Sequence, residues 1–308
     1  MKAAYFNKHG GPEVMEYGEI KDPVAGPGQV LVDVHAASVN GADWKVRAGS
    51  YAPITDLPYI PGRDFSGVVS ALGTGVTDFA IGDAVFGVCD VGQEQAYAEK
   101  VAIKASIIAK KPANLTHADC AALALIGLTA LVSIEDTLQL KSGETILIHG
   151  GAGGVASFAI QAAKHIGARV ITTASVANHD YLRTLGADQI IDYNAEDFTQ
   201  VVSACDAVFD TVGGDVTQRS FAVLRAGGRA ASIAAGQAAP VSPRADVQSL
   251  RPKVGRDREH LERILALVAC GAVRVPEITR YKLSEAAAAH KVSEGRHFRG
   301  KLVFMVRS

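Results

Sequence analysis

The chain has 308 residues, which exceeds the usual size of one hydrophobic core, so we expect two lobes of about 100–200 residues each. Its 31 Lys and Arg residues and 32 Asp and Glu residues give a formal charge of −1, which excludes a global field that attracts nucleic acid or an anionic membrane. The four cysteines form no C-x-x-C pair, which argues against a disulfide framework and a structural zinc site. The first eight residues lack the apolar run of a secretory signal, so we expect a cytoplasmic protein.

Residues up to about 111 are predicted to form a twisted, partly antiparallel β lobe. Turn residues such as Gly26-Pro27-Gly28 precede β-branched runs such as Val30–Val34. The apolar segment Cys120–Ile134 has 15 residues, fewer than the roughly 20 that a membrane-spanning helix needs, so it is predicted to be a buried helix. His117 and Cys120 are interpreted as a surface histidine beside a core cysteine, because no second pair of metal ligands follows.

From Thr116 onward, short apolar runs alternate with helical segments. The predicted strands are Thr145–His149, Arg169–Thr173, Gln189–Asp192, Ala207–Asp210 and Arg229–Ala234, and the helices between them are predicted to end at Gly167, Gly186 and Gly227. Strands that are separated by helices predict a parallel, doubly wound sheet. Beyond about Gly255, helices at Asp257–Cys270 and Ser284–Val292 and a strand at Lys301–Val306 are expected to return to the first lobe.

The sequence Gly151-Ala152-Gly153-Gly154-Val155-Ala156 directly follows a predicted strand and opens a predicted helix at Val155–Lys164. This is a G-x-G-x-x-A motif in the context that dinucleotide binding requires. The glycines permit a tight turn and a close approach of the backbone to the pyrophosphate, and the helix N-terminus offers unpaired N–H groups. Ordinary glycine-rich turns also match this motif, but the five alternating units around it favour a dinucleotide site.

About 20 residues further on, NAD enzymes usually carry an acidic residue that binds both ribose hydroxyls. The window Ile171–Asn178 holds no carboxylate that would repel a 2′-phosphate, and Ser175 supplies a hydroxyl, so we expect NADPH. No arginine stands in the window, and a helix cap explains Ser175 equally well. After the fourth strand, Thr211 and Val212 are predicted to contact the ribose or nicotinamide, with Asp210 fixing their loop.

Several stretches, in this order, resemble the medium-chain dehydrogenase/reductase superfamily, specifically its zinc-free quinone and enone oxidoreductase branch. They are residues 37–51, Pro61–Val69, Gly127–Ala130, the glycine turn, Ile191–Tyr193 and Gly295–Lys301, and together they span nearly the whole chain. Gly41 and Ala156 depart from the family, which often has proline and glycine there.

The resemblance implies an α/β fold in which a GroES-like, β-rich catalytic domain surrounds an inserted Rossmann domain with a doubly wound parallel sheet. The catalytic domain would comprise residues 1–118 and 255–308 and the NADPH-binding domain residues 119–254. The resemblance also implies an active site in the cleft between the two domains and a homodimer. Nucleic acid and membranes are not expected as partners.

Site residues are implied in the same way, with Ser175 and Tyr193 near the adenosine 2′-phosphate and Thr129 near the nicotinamide. The predicted cofactor-binding set is Asn40, Thr129, Gly151, Ala152, Gly153, Gly154, Val155, Thr173, Ser175, Tyr193, Thr211, Val212, Ile233 and Lys301. No metal is expected, because Asn40 and Gly62-Arg63-Asp64 stand where zinc alcohol dehydrogenases carry a cysteine and Gly-His-Glu.

Without zinc, the chemistry must come from the nicotinamide hydride and from protein donors that stabilise a developing enolate or phenolate. Lys45 is the leading candidate, because related enone reductases carry a substrate-facing lysine there; the alternative is a solvated lysine on a short helix. Tyr51 is expected to offer the substrate a hydroxyl or a stacking face, or else to be a rim aromatic. Asn40 and Asp43 would fix the loop and the amide end of the cofactor, or have structural roles only.

The resemblance therefore predicts a small-molecule quinone or enone as the acceptor of hydride from NADPH. Two other functions stay open at this point: an NADPH-binding redox sensor without turnover, and an atypical alcohol dehydrogenase with unconventional metal ligands. A short-chain reductase is disfavoured, because that family places its glycine motif near the N-terminus, whereas 150 residues precede Gly151 here.

Overall fold

The computed structural model describes residues 1–51, 54, 56–234, 236 and 238–307. The chain divides into two units. The first takes in Met1–Leu125, Arg256–Leu265 and Val275–Ser308, and the second takes in Ile126–Gly255 and Ala266–Arg274. The domain limits at residues 118 and 254 stay a prediction.

The described residues form strands and helices that are labelled here in chain order. The strands are β1 (Lys2–Phe6), β2 (Met15–Glu19), β3 (Gln29–Ser38), β4 (Asp64–Leu72), β5 (Ala84–Val88), β6 (Lys100–Lys104), β7 (Ile108–Lys110), β8 (Thr145–Ile148), β9 (Arg169–Ala174), β10 (Gln189–Asp192), β11 (Cys205–Asp210), β12 (Leu224–Ser232), β13 (Gln248–Leu250), β14 (Ile278–Lys282) and β15 (Lys301–Met305). The helices are α1 (Gly41–Arg47), α2 (His117–Leu131), α3 (Gly154–Ile166), α4 (His179–Thr184), α5 (Phe198–Val201), α6 (Asp215–Ser220), α7 (Arg258–Ala269) and α8 (Ala286–Gly295).

The main sheet of the first unit has seven strands in the order β14-β15-β3-β4-β5-β7, with β6 also paired to β3. Only the β14–β15 pair of this sheet is parallel within the described residues. Along β3 every second side chain points into the core, so Val30, Val32 and Val34 are fully buried. The predicted β-rich, partly antiparallel lobe is confirmed.

The second unit is built on a parallel sheet in the order β10-β9-β8-β11-β12-β13. Ile146, Leu147 and Ile148 of the central strand β8 are all fully buried, which is typical of parallel strands covered on both faces. The strand order reverses between β8 and β11, so the loops that follow these two strands lie side by side at the carboxyl edge. Ligands of doubly wound sheets bind at this position. The predicted doubly wound sheet is confirmed.

Some predicted boundaries are wrong. Gly227 does not end a helix but lies inside β12. It has a φ of +75° and lies where the register between β11 and β12 shifts. The helix that precedes it ends at Ser220. Strands β13 and β14 were not expected, because β13 has only three residues and β14, Ile278–Lys282, is a largely polar edge strand without clear alternation.

The apolar segment that was predicted to be a buried helix forms α2 and a π-helical turn, Val132–Thr137. Among the described residues, His117–Thr137 is the one helical segment long and apolar enough to cross a membrane. However, 83% of its most apolar window is buried inside the protein, as expected for a core helix. The prediction of burial is therefore confirmed.

Candidate active site

The glycine turn connects β8 to α3 in the second unit. Gly153 is the N-cap of α3, and no side chain caps the helix and no acidic residue lies in its first turn. Its terminal N–H groups are therefore available to an anion, which the positive end of the helix dipole also favours. A Cβ at Gly151 would lie 2.4 Å from Thr172 Oγ1, so packing requires glycine there.

The buried His149, to which the sequence reasoning gave no role, supports this turn through hydrogen bonds. His149 Nδ1 lies 3.2 Å from Thr173 Oγ1, which accepts a hydrogen bond from the N–H of Gly150 at 3.2 Å. On the other side of the ring, Nε2 lies 3.1 Å from Ser220 Oγ, and that hydroxyl donates to the carbonyl of Val216. A neutral imidazole protonated on Nε2 satisfies every link of this chain. Burial favours that form, because it lowers the pKa of His149 to about 4.

The loop after β11 is fixed by Asp210, as the sequence predicted. Its carboxylate accepts hydrogen bonds from the N–H groups of Val212 and Gly213 at 2.8 and 3.0 Å, and from the hydroxyls of Thr217 and Ser232.

Two predicted ligands, Thr211 and Val212, directly follow Asp210, and a third, Ile233, contacts its carbonyl. The Thr211 hydroxyl donates to the carbonyl of His149 at 2.8 Å, which ties the loops after β8 and β11 together. The side chain of Val212 is 40% exposed. The N–H of Ile233 donates to the carbonyl of Asp210 at 3.1 Å. The structure thus places Thr211 and Val212 beside Gly150 at the carboxyl edge, and Ile233 beside Asp210.

Ser175 and Tyr193 follow neighbouring strands. Asp192 pairs in register with Ala174, so the next residue on each strand, Tyr193 and Ser175, lies at the same edge of the sheet. Ser175 Oγ accepts a hydrogen bond from Asn178 Nδ2 at 3.2 Å, and it makes no capping bond to the helical turn that follows. Tyr193 is 54% exposed. The cap explanation of Ser175 is therefore not supported by its side-chain contacts.

Thr129, the remaining predicted ligand in the second unit, lies on α2 and is mostly buried. Its carbonyl accepts a hydrogen bond from Ser133 Oγ at 2.7 Å, four residues further along the helix. No hydrogen bond joins it to the glycine turn among the described residues, and its predicted place near the nicotinamide stays a prediction.

In the first unit, Asn40 precedes α1 and is held at both ends of its amide. Nδ2 donates to Asp64 Oδ1 at 2.7 Å, and Oδ1 accepts from Lys301 Nζ at 2.8 Å. Its N–H donates to Asp43 Oδ2 at 2.9 Å. Asn40 therefore fixes the start of α1, in agreement with the structural role that the sequence left open.

Lys301 and Asp64 form the buried base of this arrangement. The Lys301 ammonium also donates to the carbonyl of Val39 at 2.7 Å, and burial lowers its pKa. Burial raises the pKa of Asp64, which accepts hydrogen bonds from Ser38 and from the N–H of Leu125. The structure thus places Lys301, predicted as a cofactor ligand, in contact with Asn40 in the first unit.

A second buried charge cluster was missed by the sequence reasoning. Arg63 Nε lies 3.3 Å from Asp43 Oδ1, and Arg63 Nη2 lies 3.2 Å from Glu94 Oε1, with all three side chains almost fully buried. Tyr97 donates to Asp43 at 2.7 Å. Burial raises the pKa of Asp43 to about 6, although Arg63 and Tyr97 oppose that rise. In the sequence, Gly62-Arg63-Asp64 indicates only that zinc ligands are lacking. The buried cluster could not be predicted, because the burial of charges leaves no local sequence pattern.

The predicted catalytic side chains lie close to these clusters. The half-buried Lys45 has its ammonium 5.7 Å from the centre of the Trp44 ring. The carbonyl of Lys45 accepts a hydrogen bond from the N–H of Ser50 at 2.9 Å, which ties the Tyr51 segment to α1. Tyr51 is 41% exposed, and the Arg63 guanidinium lies 5.1 Å from its ring centre. Lys45, Tyr51 and Asn40 therefore share one short stretch around α1.

His117 corrects one prediction, because it is half-buried rather than a surface residue. It stacks on His35 at 4.4 Å and lies 2.8 Å from Ser66 Oγ, and burial lowers its pKa to about 4. Cys120 is buried, as expected. No group of three or more His, Cys, Asp or Glu side chains could hold a metal ion within the described part of the chain.

Comparison with known proteins agrees with this architecture. Residues 26–113 match the alcohol dehydrogenase GroES-like domain, and residues 185–304 match the zinc-binding dehydrogenase family. The chain is 32% identical to a 2-haloacrylate reductase from a Burkholderia species, over 98% of both chains.

Solved structures give the same result. The structure of the quinone oxidoreductase from Coxiella burnetii has a TM-score of 0.93 and 38% identity, and covers 100% of this chain and 99% of that one. The Escherichia coli quinone oxidoreductase complexed with NADPH has a TM-score of 0.90 and 28% identity, and covers 99% of this chain and 100% of that one. The chain belongs to the medium-chain dehydrogenase/reductase superfamily, with quinone oxidoreductases among its relatives.

Proposed function

We propose that this protein is a zinc-independent, NADPH-dependent reductase that transfers hydride to quinones or α,β-unsaturated carbonyl compounds. The observation that carries the proposal is the uncapped N-terminus of α3 at the glycine turn, beside the loop that Asp210 holds. The relatives support it, because one is named a 2-haloacrylate reductase and another is a quinone oxidoreductase complexed with NADPH.

The residues at the turn fit a dinucleotide. Gly151 and Gly153 bring backbone rather than side chains to the surface of the turn, and the first turn of α3 carries no carboxylate that would repel a diphosphate. The hydrogen bonds from Gly150 through Thr173 to His149 hold the turn in place before any ligand arrives. Ser175 and Tyr193 would contact the 2′-phosphate from the neighbouring strand ends.

NADPH, when bound, supplies the hydride. Lys45 would place its ammonium near the carbonyl oxygen of the acceptor and stabilise the negative charge that develops there. Tyr51 would offer a flat acceptor its ring or its hydroxyl, while the buried partners of Asn40 keep the start of α1 in position.

The side chains at the position of the zinc ligands support zinc independence. Arg63 and Asp64 stand where zinc alcohol dehydrogenases carry the His and Glu of Gly-His-Glu, and the oxygens of Asp64 accept hydrogen bonds from Ser38, Asn40 and the N–H of Leu125. Arg63 beside it brings a positive charge, which disfavours a divalent cation. A homodimer and a cytoplasmic location are further parts of the proposal.

The decisive test is to follow the absorbance of NADPH and of NADH with purified protein against a panel of quinones, alkenals and cyclic enones, with and without a chelator. We expect turnover with NADPH that the chelator leaves unchanged. Failure across the panel despite tight NADPH binding would favour the redox-sensor alternative. If the chelator removes a stoichiometric metal and the activity is lost with it, the protein would be an atypical alcohol dehydrogenase.

A further inference from the structure

The segment Gly295–Lys301 connects α8 to β15. Its second residue, Arg296, ends α8 with a φ of +55°, in the left-handed region where glycine or asparagine is usual. Another residue type in this conformation costs free energy, and such residues persist most often at functional sites.

The Arg296 guanidinium lies 5.6 Å from the centre of the Trp44 ring, and Lys45 Nζ lies 5.7 Å from the same centre. A cation near the face of an indole is attracted by the quadrupole of the ring. Two positive charges from separate parts of the chain therefore lie near the ring of Trp44.

No salt bridge joins Arg296 to a carboxylate among the described residues, and two glutamates of the first unit pair with other arginines. Glu294 pairs with the buried Arg47 at 3.0 Å, and Glu277 pairs with Arg299 at 3.2 Å. Arg296 itself is exposed. Its guanidinium therefore keeps a full charge that can bind an anion in the two-pronged geometry that suits a carboxylate.

Building on the proposed function, we infer that Arg296 and Lys45 bind the acceptor together, and that the preferred acceptor is an α,β-unsaturated carbonyl compound that also carries a carboxylate. Lys45 faces the carbonyl oxygen, Arg296 binds the carboxylate, and Trp44 supports the hydrocarbon between them. A neutral quinone uses only the first of these contacts.

Trp44 is the only tryptophan in the sequence, so its fluorescence reports binding without any turnover. The protein is titrated with levulinate, a saturated keto acid, and with methyl levulinate, both in the absence of NADPH. We expect a saturable change with the acid and a much weaker one with the ester. Equal responses to acid and ester would overturn the inference.

Variants assign the effect to Arg296. Arg296→Gln is expected to weaken levulinate binding about fivefold, the size expected for an exposed ion pair, and Arg296→Lys to restore part of it. Arg296→Gly is expected to weaken levulinate binding to the same extent. Because glycine adopts the positive φ freely, misfolding would not explain that result. Arg280→Gln, at an exposed arginine on β14, is the matched control and should bind like the wild type. Wild-type binding by both Arg296→Gln and Arg296→Gly would also overturn the inference.

Turnover of β-acetylacrylate and its methyl ester separates this inference from the proposed function. We expect the wild type to prefer the acid and Arg296→Gln to lower the acid-to-ester ratio of kcat/KM about fivefold. Turnover of the ester and of quinones without preference for the acid would leave the reductase intact and reject the role of Arg296. No turnover of any acceptor would reject the reductase, while the fluorescence titration would still decide the anion site.

Discussion

The guanidinium of Arg63 lies 5.1 Å from the centre of the Tyr51 ring. Asp43 and Glu94 hold that guanidinium from within the protein, at 3.3 and 3.2 Å, whereas Tyr51 remains 41% exposed. A buried cation that two carboxylates fix in place thus supports an aromatic side chain at the surface. The orientation of Tyr51 depends on charges that lie beneath it.

Replacing Arg63 tests how much this cluster contributes to stability. Arg63→Met should lower the free energy of unfolding by about 3–5 kcal/mol, because it leaves two buried carboxylates without a cation. Urea unfolding measures the change, and Arg63→Met combined with Glu94→Gln should recover part of it. Lys104→Met, which breaks an exposed pair with Asp90, is the control and should cost less than about 1 kcal/mol. Similar losses in the two single variants would contradict the prediction.

Lys45→Met tests the proposed oxyanion donor. With NADPH and a small neutral enone, kcat/KM should fall about 100-fold, because one donor to the developing charge is lost. The affinity for NADPH should stay unchanged in a binding titration. Lys291→Met, at an exposed lysine of α8, serves as the control. Wild-type efficiency in Lys45→Met would show that this ammonium does not stabilise the transition state.

Gly153→Ala separates ligand binding from folding. Gly153 has a φ of −72°, which alanine adopts freely, and a Cβ there would meet only the carbonyl of Gly150 at 3.3 Å. The free energy of unfolding should therefore change by less than about 0.5 kcal/mol. The affinity for NADPH should fall about tenfold, because the backbone no longer approaches the diphosphate as closely.

The control for this change is Gly255→Ala, at a glycine of the second unit where a Cβ meets nothing within 4 Å. It should leave both stability and cofactor affinity as they are. Undiminished NADPH affinity in Gly153→Ala would place the diphosphate elsewhere.

His149 makes stability depend on pH. Burial lowers its pKa from 6.5 to about 4, so between these values the unfolded chain binds a proton that the folded protein does not. The free energy of unfolding should therefore fall as the pH falls through this window, with His149 contributing about 3 kcal/mol of the loss. Urea unfolding at several pH values should show a shallower decline for His149→Gln than for the wild type. His165→Gln, at an exposed histidine of α3, should keep the wild-type slope, and equal slopes for all three proteins would refute the assignment.

Ser175→Asp tests the choice of cofactor. A carboxylate at the end of β9 would repel a 2′-phosphate and accept hydrogen bonds from a free ribose, so the ratio of NADPH to NADH affinity should fall by about tenfold or more. Ser203→Asp adds the same charge at an exposed position of the second unit and controls for the change in net charge. An unchanged ratio in Ser175→Asp would mean that the adenosine ribose lies away from this strand end.

Local patterns were enough to predict the second unit. Alternating apolar runs and helices specify a parallel sheet, and Gly151 and Gly153 mark the turn at its carboxyl edge, because each of these features depends on residues close together in the sequence. The boundaries failed where that local signal is weak, at the short strand β13 and at Gly227, whose positive φ serves a strand rather than a helix end.

The pairing of buried charges depends on packing and has no local sequence pattern. Arg63 and Glu94 are 31 positions apart in the sequence, and Arg296 meets Trp44 across most of the chain, so no spacing rule joins them. Each contact exists only because several strands bring distant loops to one place, where burial strengthens the interaction between charges that would be solvated separately in an unfolded chain. Local patterns and the family resemblance were enough to predict the fold and the glycine turn, whereas the surroundings of Lys45, Tyr51 and Asn40 depend on packing.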